Sequence, residues 1–292
     1  MINSVIRTRK KEVKNNKKKV LLVINCLQGG GAERVVLTLG QGFYDLGYEV
    51  HILRFKPRVD YELNPKLNYH FIDFKHPCIC VSKGAEKDFV ESFGNITPTI
   101  AIHNPVDRDY IQKLGDVFTP EYQDYIVHVG SFKEAKRHDV LLKAYARTDQ
   151  SMPLLLLGKG KLKDEIEQLV VELNLEEKVV FLGFQENPFP YIKHPKFKVL
   201  TSDWEGFALV IAEALVLGTP DISTDCPSGP SELLPDNNLM PMSDVDAISE
   251  KLSLAMKNPE QFFSEFDGSL LPITIAKKYI AFASDSKIKE YS

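Results

Sequence analysis

The chain has 292 residues, of which 43% are hydrophobic, 26% charged and 10% aromatic. This balance excludes a disordered chain and a coiled coil, and the length leaves room for two domains of ordinary size. The longest apolar runs, residues 20–24 and 154–157, are far shorter than the roughly 20 residues that a membrane span requires, so none is predicted.

The net charge of −4 is unevenly distributed, because residues 1–19 hold eight Lys or Arg and one Glu. This basic arm is interpreted either as a solvated tail or as a weak tether to an anionic membrane surface. The acidic remainder argues against nucleic acid as the main partner. The arm lacks the apolar stretch of a secretory signal, so we expect a cytoplasmic protein, with peripheral membrane contact if the tether interpretation holds. The four scattered cysteines are expected to be buried or half-buried free thiols.

From Lys18 onward, short apolar runs alternate with amphipathic stretches, which is typical of βαβ units. Residues 20–25 form the first predicted strand, which we expect to be buried. Gly31 lies at the start of a predicted helix, whose apolar residues recur every three or four positions through Leu46. Ser82 is a predicted helix N-cap. Further strands are predicted at 48–54, 70–74, 77–81 and 99–103.

After a predicted linker at 118–124, the second half shows the same alternation more regularly. Strands followed by helices predict a parallel, doubly wound sheet, and two such halves would face one ligand-binding cleft. Strands are predicted at 125–129, 153–157, 179–182, 197–200 and 221–223, and helices from about 136, at 162–173 and through 210–215. The predicted divisions are a basic arm (1–17), an N-terminal domain (18–120), a C-terminal domain (121–270) and a tail (271–292).

Two strand-to-helix turns have residues suited to phosphate. Glycines 29–31 would let the backbone approach a phosphate at a helix N-terminus, although a simple tight turn explains them equally well. Lys136 and Arg137 lie at the start of a predicted helix, where cations oppose the helix dipole. A bound polyphosphate would account for these cations, and a solvated basic turn is the alternative.

Two carboxylates with seven residues between them form the third candidate site. Glu213 lies in an otherwise apolar helical stretch, where it could accept two hydroxyls of a ribose. Glu205 precedes the free N–H groups of residues 206–209 and could orient a polar ligand such as a sugar. The alternative is a pair of solvated carboxylates at the helix ends.

At these motifs the chain resembles the family 4 retaining glycosyltransferases, in a form frequent among bacterial surface-polysaccharide enzymes. The similarity covers about residues 18–257 and rests on the order and spacing of several short motifs. They are Ser202-Asp203-Trp204-Glu205-Gly206-Phe207, Glu213-Ala214-Leu215, Gly218-Thr219-Pro220, residues 225–233, residues 29–34, Val81-Ser82-Lys83-Gly84, residues 104–107, Lys136-Arg137, residues 181–184 and Asn187-Pro188.

The resemblance implies an α/β GT-B fold, in which two Rossmann-like domains face a cleft, and a nucleotide-diphosphate sugar donor. By position, Glu213 would bind the ribose, Glu205 the transferred sugar, as the catalytic residue, and Lys136 the diphosphate. No metal cofactor is implied, because cations and helix N-termini stabilise the leaving diphosphate in this fold. The remaining implied donor-binding residues are Gly30, Gly31, Gly130, Arg137, Gly206, Phe207, Ala208 and Leu209.

The chain departs from the family pattern in two places. Ser131 stands where the family usually has Arg, so one expected phosphate cation is absent. Residues 71–75 run almost directly into Cys78, where the family usually continues through further strands and helices, so we expect a shortened N-terminal domain. Residues 273–282 could be a short version of the family's final helix, which often returns to the N-terminal domain.

The resulting interpretation is a transferase that moves a hexose or N-acetylhexosamine from a nucleotide-diphosphate sugar, with a UDP-sugar as the expected donor, onto a lipid-linked or lipopolysaccharide-type glycan. The alternative is a non-catalytic remnant that binds a sugar nucleotide or a partner enzyme.

Overall fold

The structure, a computed structural model, describes residues 18–24, 27, 31–54, 59–71 and 77–284. The chain divides into two compact units, Met1–Lys75 and His76–Ser292. The boundary predicted near residue 120 between two domains stays a prediction. The basic arm, residues 1–17, lies outside the described residues. Within the described part of the chain, no helix is long and apolar enough to cross a bilayer.

The first unit holds a parallel three-stranded sheet with the strand order β1-β2-β3. Helix α1 connects the first two strands, as the alternation in the sequence predicted. Val50, Ile52 and Leu67 form the buried core of this unit. The elements are β1 (Lys19–Ile24), α1 (Gly31–Asp45), β2 (Glu49–Arg54) and β3 (Asn68–Phe71).

Burial in this unit differs from the sequence-based expectation. The described residues of β1 are half-buried or exposed, and Leu21 is 59% exposed. On α1, Val36, Leu37 and Phe43 pack on the core, whereas Val35 and Leu39 are exposed. The apolar residues of α1 are spread over a wider arc than the one stripe that a helix buries on a small sheet, so their spacing alone does not indicate which of them are buried.

The second unit begins with a two-stranded parallel sheet and two helices. The predicted cap of α2 is confirmed, because the Ser82 hydroxyl accepts a hydrogen bond from the Ala85 N–H at 3.1 Å. Cys78 and Cys80 are half-buried free thiols and Cys226 is a buried one, as expected, whereas Cys26 lies outside the described residues. The elements are β4 (Cys78–Cys80), α2 (Lys83–Phe93), β5 (Thr99–Ala101) and α3 (Arg108–Gly115).

The rest of the second unit surrounds a six-stranded sheet with the order β11-β10-β9-β6-β7-β8, in which every pairing is parallel. The predicted doubly wound sheet is therefore confirmed. Its strands are β6 (Ile126–Val129), β7 (Leu154–Leu157), β8 (Val179–Gly183), β9 (Phe197–Leu200), β10 (Asp221–Thr224) and β11 (Leu239–Met240). Its helices are α4 (His138–Tyr145), α5 (Lys163–Glu172), α6 (Phe189–Lys193), α7 (Leu209–Leu217), α8 (Pro230–Leu233) and α9 (Val245–Lys257), and α10 (Pro272–Ser284) follows near the end of the chain.

Strand β6 occupies the point where the strand order reverses. It pairs with β7 on one side and with β9 on the other, although β9 comes three strands later in the chain. In open parallel sheets, a crevice forms outside the carboxyl ends of the strands at such a reversal, and ligands bind there. The loops that follow β6 and β9 therefore lie at this crevice.

A buried ion pair lies in the sheet, one strand away from this point. Lys198 on β9 and Asp221 on β10 are both fully buried, with 2.9 Å between Nζ and Oδ1. Burial raises the pKa of the Asp221 carboxyl to about 7, and Lys198 acts in the opposite direction. A buried charge is costly unless it is paired, so each side chain depends on the other.

We expect Lys198→Met to destabilise the protein in a pH-dependent way. At about pH 8 the folded variant would hold either a lone buried carboxylate or a proton that the unfolded chain does not bind, and the free energy of unfolding should fall by about 3–5 kcal/mol. Because the folded pKa of Asp221 lies above its ordinary value, and rises further without Lys198, taking up this proton costs less free energy at about pH 5, closer to the ordinary pKa, and the loss should shrink. Urea unfolding at both pH values measures this, with exposed Lys178→Met as the control. An equal loss at both pH values would contradict the expectation.

Candidate functional site

The loops after β6 and β9 are tied together by hydrogen bonds. The Thr201 hydroxyl donates to the carbonyl oxygen of Lys136 at 3.1 Å, and the Asp203 N–H donates to the carbonyl oxygen of Ala135 at 2.9 Å. A short 3-10 turn, Glu134–Lys136, ends the first of these loops. The two loops therefore hold their side chains in fixed positions above the sheet.

Lys136 and Glu205 meet at this junction. The Lys136 Nζ lies 2.5 Å from Glu205 Oε1, and the Ser202 hydroxyl donates to the same oxygen at 2.6 Å. The two charged side chains are only 13% and 12% exposed. Charge-assisted hydrogen bonds of this kind orient both groups strongly, so the carboxylate is held in one place.

Helix α7 begins directly beside this pair. Ala208 precedes the helix in the left-handed conformation, with φ of 56°, and among the described residues no side chain caps the helix start. Gly229 allows the close approach behind this turn, since a Cβ at its φ of +102° would lie 2.9 Å from the Phe207 carbonyl carbon. The first N–H groups of α7 and its dipole therefore favour an anion here.

A cavity of about 290 Å³ opens between these groups. It brings together five of the residues predicted from the sequence and combines a cation, a helix N-terminus and a carboxylate. Such a set can bind an anion and, next to it, the hydroxyls of a polar ligand. The lining residues are Asn104, Val129, Lys136, Glu205, Phe207, Ala208, Leu209 and Val210.

A second cavity of about 280 Å³ shares Val129 with the first and is mainly apolar. Lys159 Nζ lies 4.4 Å from the centroid of the Phe184 ring in its wall. At Gly158, whose φ is +149°, a Cβ would lie 2.0 Å from the Gly130 carbonyl oxygen, so the loops after β6 and β7 meet tightly. An apolar slot with an aromatic wall suits a flat ring such as a nucleobase.

Arg137 has partners within the protein. Its guanidinium donates to Asp139 at 3.0 Å, to Asp203 at 2.8 Å and to Ser243 at 2.7 Å. The hydrogen bonds to Asp139 and Asp203 raise the pKa of Arg137 above its ordinary value. These ion pairs give the cation a structural role, and its assignment to the donor stays a prediction.

Glu213 lies on α7, one turn beyond the helix start, and it is half-buried. Burial raises its pKa, and the charge of Lys198 acts in the opposite direction. The described residues that line the two cavities do not include Glu213. Gly206 lies in the loop before α7, Gly31 is the first residue of α1, and Gly30 lies outside the described residues. Their roles in donor binding stay predictions.

Two buried histidines lie below the site. His138 stacks on Phe132 with 4.4 Å between ring centroids, and its ring lies 4.5 Å from that of His128. Burial and the charge of Lys136 lower the pKa of His138 to about 4, and burial, His138 and Lys136 lower the pKa of His128 well below its ordinary value. Both rings are therefore neutral at physiological pH and add no charge beneath the cation.

Sequence reasoning missed two residues of this site. Ser202, which orients Glu205, and Asn104, which lines the first cavity, were seen only as parts of motifs. Both are polar residues placed after strands, Ser202 after β9 and Asn104 after β5. The position after a parallel strand was the available signal.

Glu232 joins the segment after β10 to the start of α2. Its carboxylate accepts the N–H groups of Lys83 at 3.1 Å and Gly84 at 3.2 Å, and its Oε2 lies 2.7 Å from His103 Nε2. Burial favours a higher pKa, but the hydrogen bonds from His103 and from the two N–H groups lower it below the ordinary value. This carboxylate therefore holds α2 against the candidate site.

We expect Glu232→Gln to lower the free energy of unfolding at neutral pH by about 1.5–3 kcal/mol, because hydrogen bonds to a charged acceptor are lost. A carboxyl whose folded pKa is lowered stabilises the protein above its ordinary pKa, and this contribution disappears as the pH falls through the lowered value. The difference from wild type should therefore shrink below about pH 4. Urea unfolding across this range tests it, with exposed Glu177→Gln as the control. A difference that does not change with pH would argue against the ionic role.

Two solved structures illustrate the similarity of the fold to that of known glycosyltransferases. The lipopolysaccharide outer core galactosyltransferase WaaB superposes with a TM-score of 0.59 at 17% identity, over 92% of this chain and 100% of that one. Anabaena Alr3699/HepE, solved in complex with UDP and glucose, superposes with a TM-score of 0.62 at 14% identity, over 92% and 100%. These neighbours have the GT-B fold, and the expected fold class is confirmed.

The family model described as glycosyl transferases group 1 matches residues 112–262, which is more than half of the chain. The chain belongs to this family. The match contains the loops after β6 and β9 and therefore most of the candidate site.

Two relatives are named for their reactions. An N-acetylgalactosaminyltransferase from Campylobacter jejuni, named for a diphospho-undecaprenol acceptor, is 37% identical over 169 residues, which are 56% of this chain and 46% of the relative. The lipopolysaccharide 1,6-galactosyltransferase of Escherichia coli is 30% identical over 188 residues, which are 61% and 51%. The chain thus spans about half the length of these relatives.

Proposed function

We propose that the protein is a retaining glycosyltransferase that moves a hexose or N-acetylhexosamine from a UDP-sugar to a lipid-linked or lipopolysaccharide-type glycan. The observation that carries this proposal is the Lys136–Glu205 pair at the start of α7, 2.5 Å apart at the edge of a cavity. A cation and a helix N-terminus on one side, with a fixed carboxylate on the other, suit a diphosphate joined to a sugar.

Each part of the donor has a place in this proposal. The base enters the apolar cavity against Phe184, and Gly130 lines the same cavity. The diphosphate lies between Lys136 and the N–H groups at the start of α7, and Glu205 accepts hydroxyls of the transferred sugar. Glu213, on the next turn of α7, accepts the ribose hydroxyls once the donor is bound.

The proposed reaction takes place on one face of the sugar. The bond between the anomeric carbon and the diphosphate oxygen breaks, and the acceptor oxygen forms a new bond to the same face of that carbon. The departing diphosphate takes the proton of the acceptor hydroxyl. Lys136 and the N-terminus of α7 stabilise the charge that develops on the diphosphate, so the step as proposed requires no metal ion.

The names of relatives support the substrate classes. The Campylobacter jejuni relative is named for a diphospho-undecaprenol acceptor, and the Escherichia coli relative for lipopolysaccharide. Structural neighbours were solved with UDP and with sugars. An acceptor of this kind would place the protein at a membrane surface, with residues 1–19 as the proposed contact.

We expect UDP and one UDP-sugar to raise the melting temperature more than GDP, ADP or their sugar conjugates. Ligand at about 100 times its Kd adds about 2.7 kcal/mol, or a shift of roughly 4–5 °C for a protein of this size. The shift should persist in EDTA and disappear in Glu213→Ala, but not in the control Glu250→Ala on the exposed face of α9.

No shift with any nucleotide, from a protein that melts cooperatively, would contradict the proposal. A shift without transfer to membrane-derived glycolipid acceptors would instead favour the non-catalytic alternative.

The two adjacent cations should differ in their effect on the donor. Lys136→Ala removes a charge from the cavity wall, so UDP should bind about 10–100 times more weakly. Arg137→Ala breaks ion pairs with Asp139 and Asp203, so we expect lower stability and less than about threefold change in UDP affinity. Isothermal titration of both variants, with Lys178→Ala as the control, compares them. A larger loss for Arg137→Ala would assign the diphosphate to Arg137 instead.

A further inference from the structure

A groove of about 880 Å³ lies beside the cavity that holds the Lys136–Glu205 pair. One wall is formed by α2 between residues 84 and 91, and the other is formed by residues 203–206 and 227–228. Glu205 lines both the groove and the cavity. A molecule in the groove therefore reaches the same carboxylate as a ligand in the cavity.

The groove presents a large aromatic side chain that the proposed donor site does not use. Trp204 is the single tryptophan of the chain, lies in the groove wall and is 63% exposed. Lys133 Nζ lies 5.8 Å from its ring centroid, and the neighbouring Asp203 N–H is bonded to Ala135. One cation thus lies near the indole ring, and the exposed surface of the ring gains contact area when a ligand covers it.

The charges of the groove distinguish between classes of ligand. Its walls carry one lysine, Lys87, and four carboxylates, Asp88, Glu91, Asp203 and Glu205. Glu91 lies 3.8 Å from Lys87. Carboxylate oxygens accept hydrogen bonds from hydroxyl groups and repel phosphates, so these walls suit a neutral polyhydroxyl molecule and disfavour an anionic one.

The two walls are locked together without a ligand. Gly84 on α2 meets the Ser228 segment so closely that a Cβ on it would lie 2.6 Å from Ser228 Cα. The Glu232 carboxylate bonds the N–H groups of Lys83 and Gly84 at the same corner. A preformed groove loses little entropy when it binds a flexible glycan.

We propose that this groove binds the acceptor, as a neutral sugar residue that stacks on Trp204 and donates hydroxyl hydrogen bonds to Asp88 and Glu91. The inference rests on the proposed function, because the role of acceptor presupposes a donor in the neighbouring cavity. An aromatic ring covers the C–H face of a sugar, while the carboxylates take up the hydroxyls at its edge. In this position the acceptor sugar lies next to Glu205. Because Glu205 also lines the donor cavity, the transferred sugar of the donor would lie next to the acceptor.

The single tryptophan makes the groove directly observable. Methyl glycosides and disaccharides of glucose, galactose, N-acetylglucosamine and N-acetylgalactosamine are titrated into the protein with and without UDP, and the tryptophan emission is followed. At least one of these probes should change the emission in a saturable way. Asp88→Ala should weaken that binding at least about fivefold, and Asp164→Ala on the exposed side of α5 should not change it. In Glu213→Ala the thermal shift with UDP should disappear, whereas the change in tryptophan emission with the glycoside should persist.

Variants of the tryptophan test the stacking itself by saturation-transfer NMR with the probe that binds best. Trp204→Ala should weaken binding by about tenfold, and Trp204→Phe should retain most of it. UDP binding, measured by thermal shift, should be unchanged in both. Phe263→Ala is the matched control, because Phe263 is an exposed aromatic outside the groove, at 52% exposure.

Four results would overturn the inference. If UDP binds but no glycoside or disaccharide changes the emission, the proposed function stands and the groove is not the acceptor site. If only intact UDP-sugars change it, the groove holds the sugar of the donor. If the anionic oligosaccharide fondaparinux binds more tightly than every neutral probe, the neutral class is wrong. If glycosides bind and UDP does not, the proposed function fails and the role of acceptor falls with it.

Discussion

The pairing of β6 with β9 is the constraint on which the candidate site depends. Ile126 is in register with Phe197, and Val127 with Lys198, although about 70 residues separate the two strands. Their carboxyl ends lie side by side, so the loops that follow must meet. The Lys136–Glu205 pair and the cavity at the start of α7 both result from this pairing. A shift of one residue in the register would turn the side chains of one strand to its opposite face and disrupt the buried pair below.

The polar groups beneath the site tie its electrostatics to the stability of the sheet. Lys198 is fixed by Asp221 inside the sheet, and its charge also opposes the burial effect on Glu213. His128 and His138 are held neutral by burial and by neighbouring cations, which leaves Lys136 as a cation above uncharged rings. A substitution at Lys198 would therefore change both the unfolding free energy and the pKa of Glu213, which is proposed to bind the donor.

One segment, residues 225–233, connects the two places proposed for the two substrates. Gly229 packs behind Phe207 at the start of α7, Ser228 meets Gly84 at the start of α2, and Glu232 bonds the N–H groups of α2 and His103. Glu205 lies between the cavity and the groove and lines both. The proposed donor and acceptor sites therefore share a wall and the Glu205 carboxylate, so both substrates would contact the same side chain.

The sequence by itself determined the parallel, doubly wound character of the second unit, the Ser82 cap and the membership of Glu205 and Lys136 in motifs, because these depend on local periodicity, capping and spacing. Only the tertiary structure decided that Arg137 is held by Asp139 and Asp203, that Lys198 and Asp221 are paired inside the sheet, and which stripe of α1 is buried. It also decided that Trp204 lies exposed in a groove. The physical reason is that local pattern reports the conformation of the chain and the apolar balance of its faces, whereas the partner of a charged or aromatic side chain is set by contacts between segments far apart in sequence.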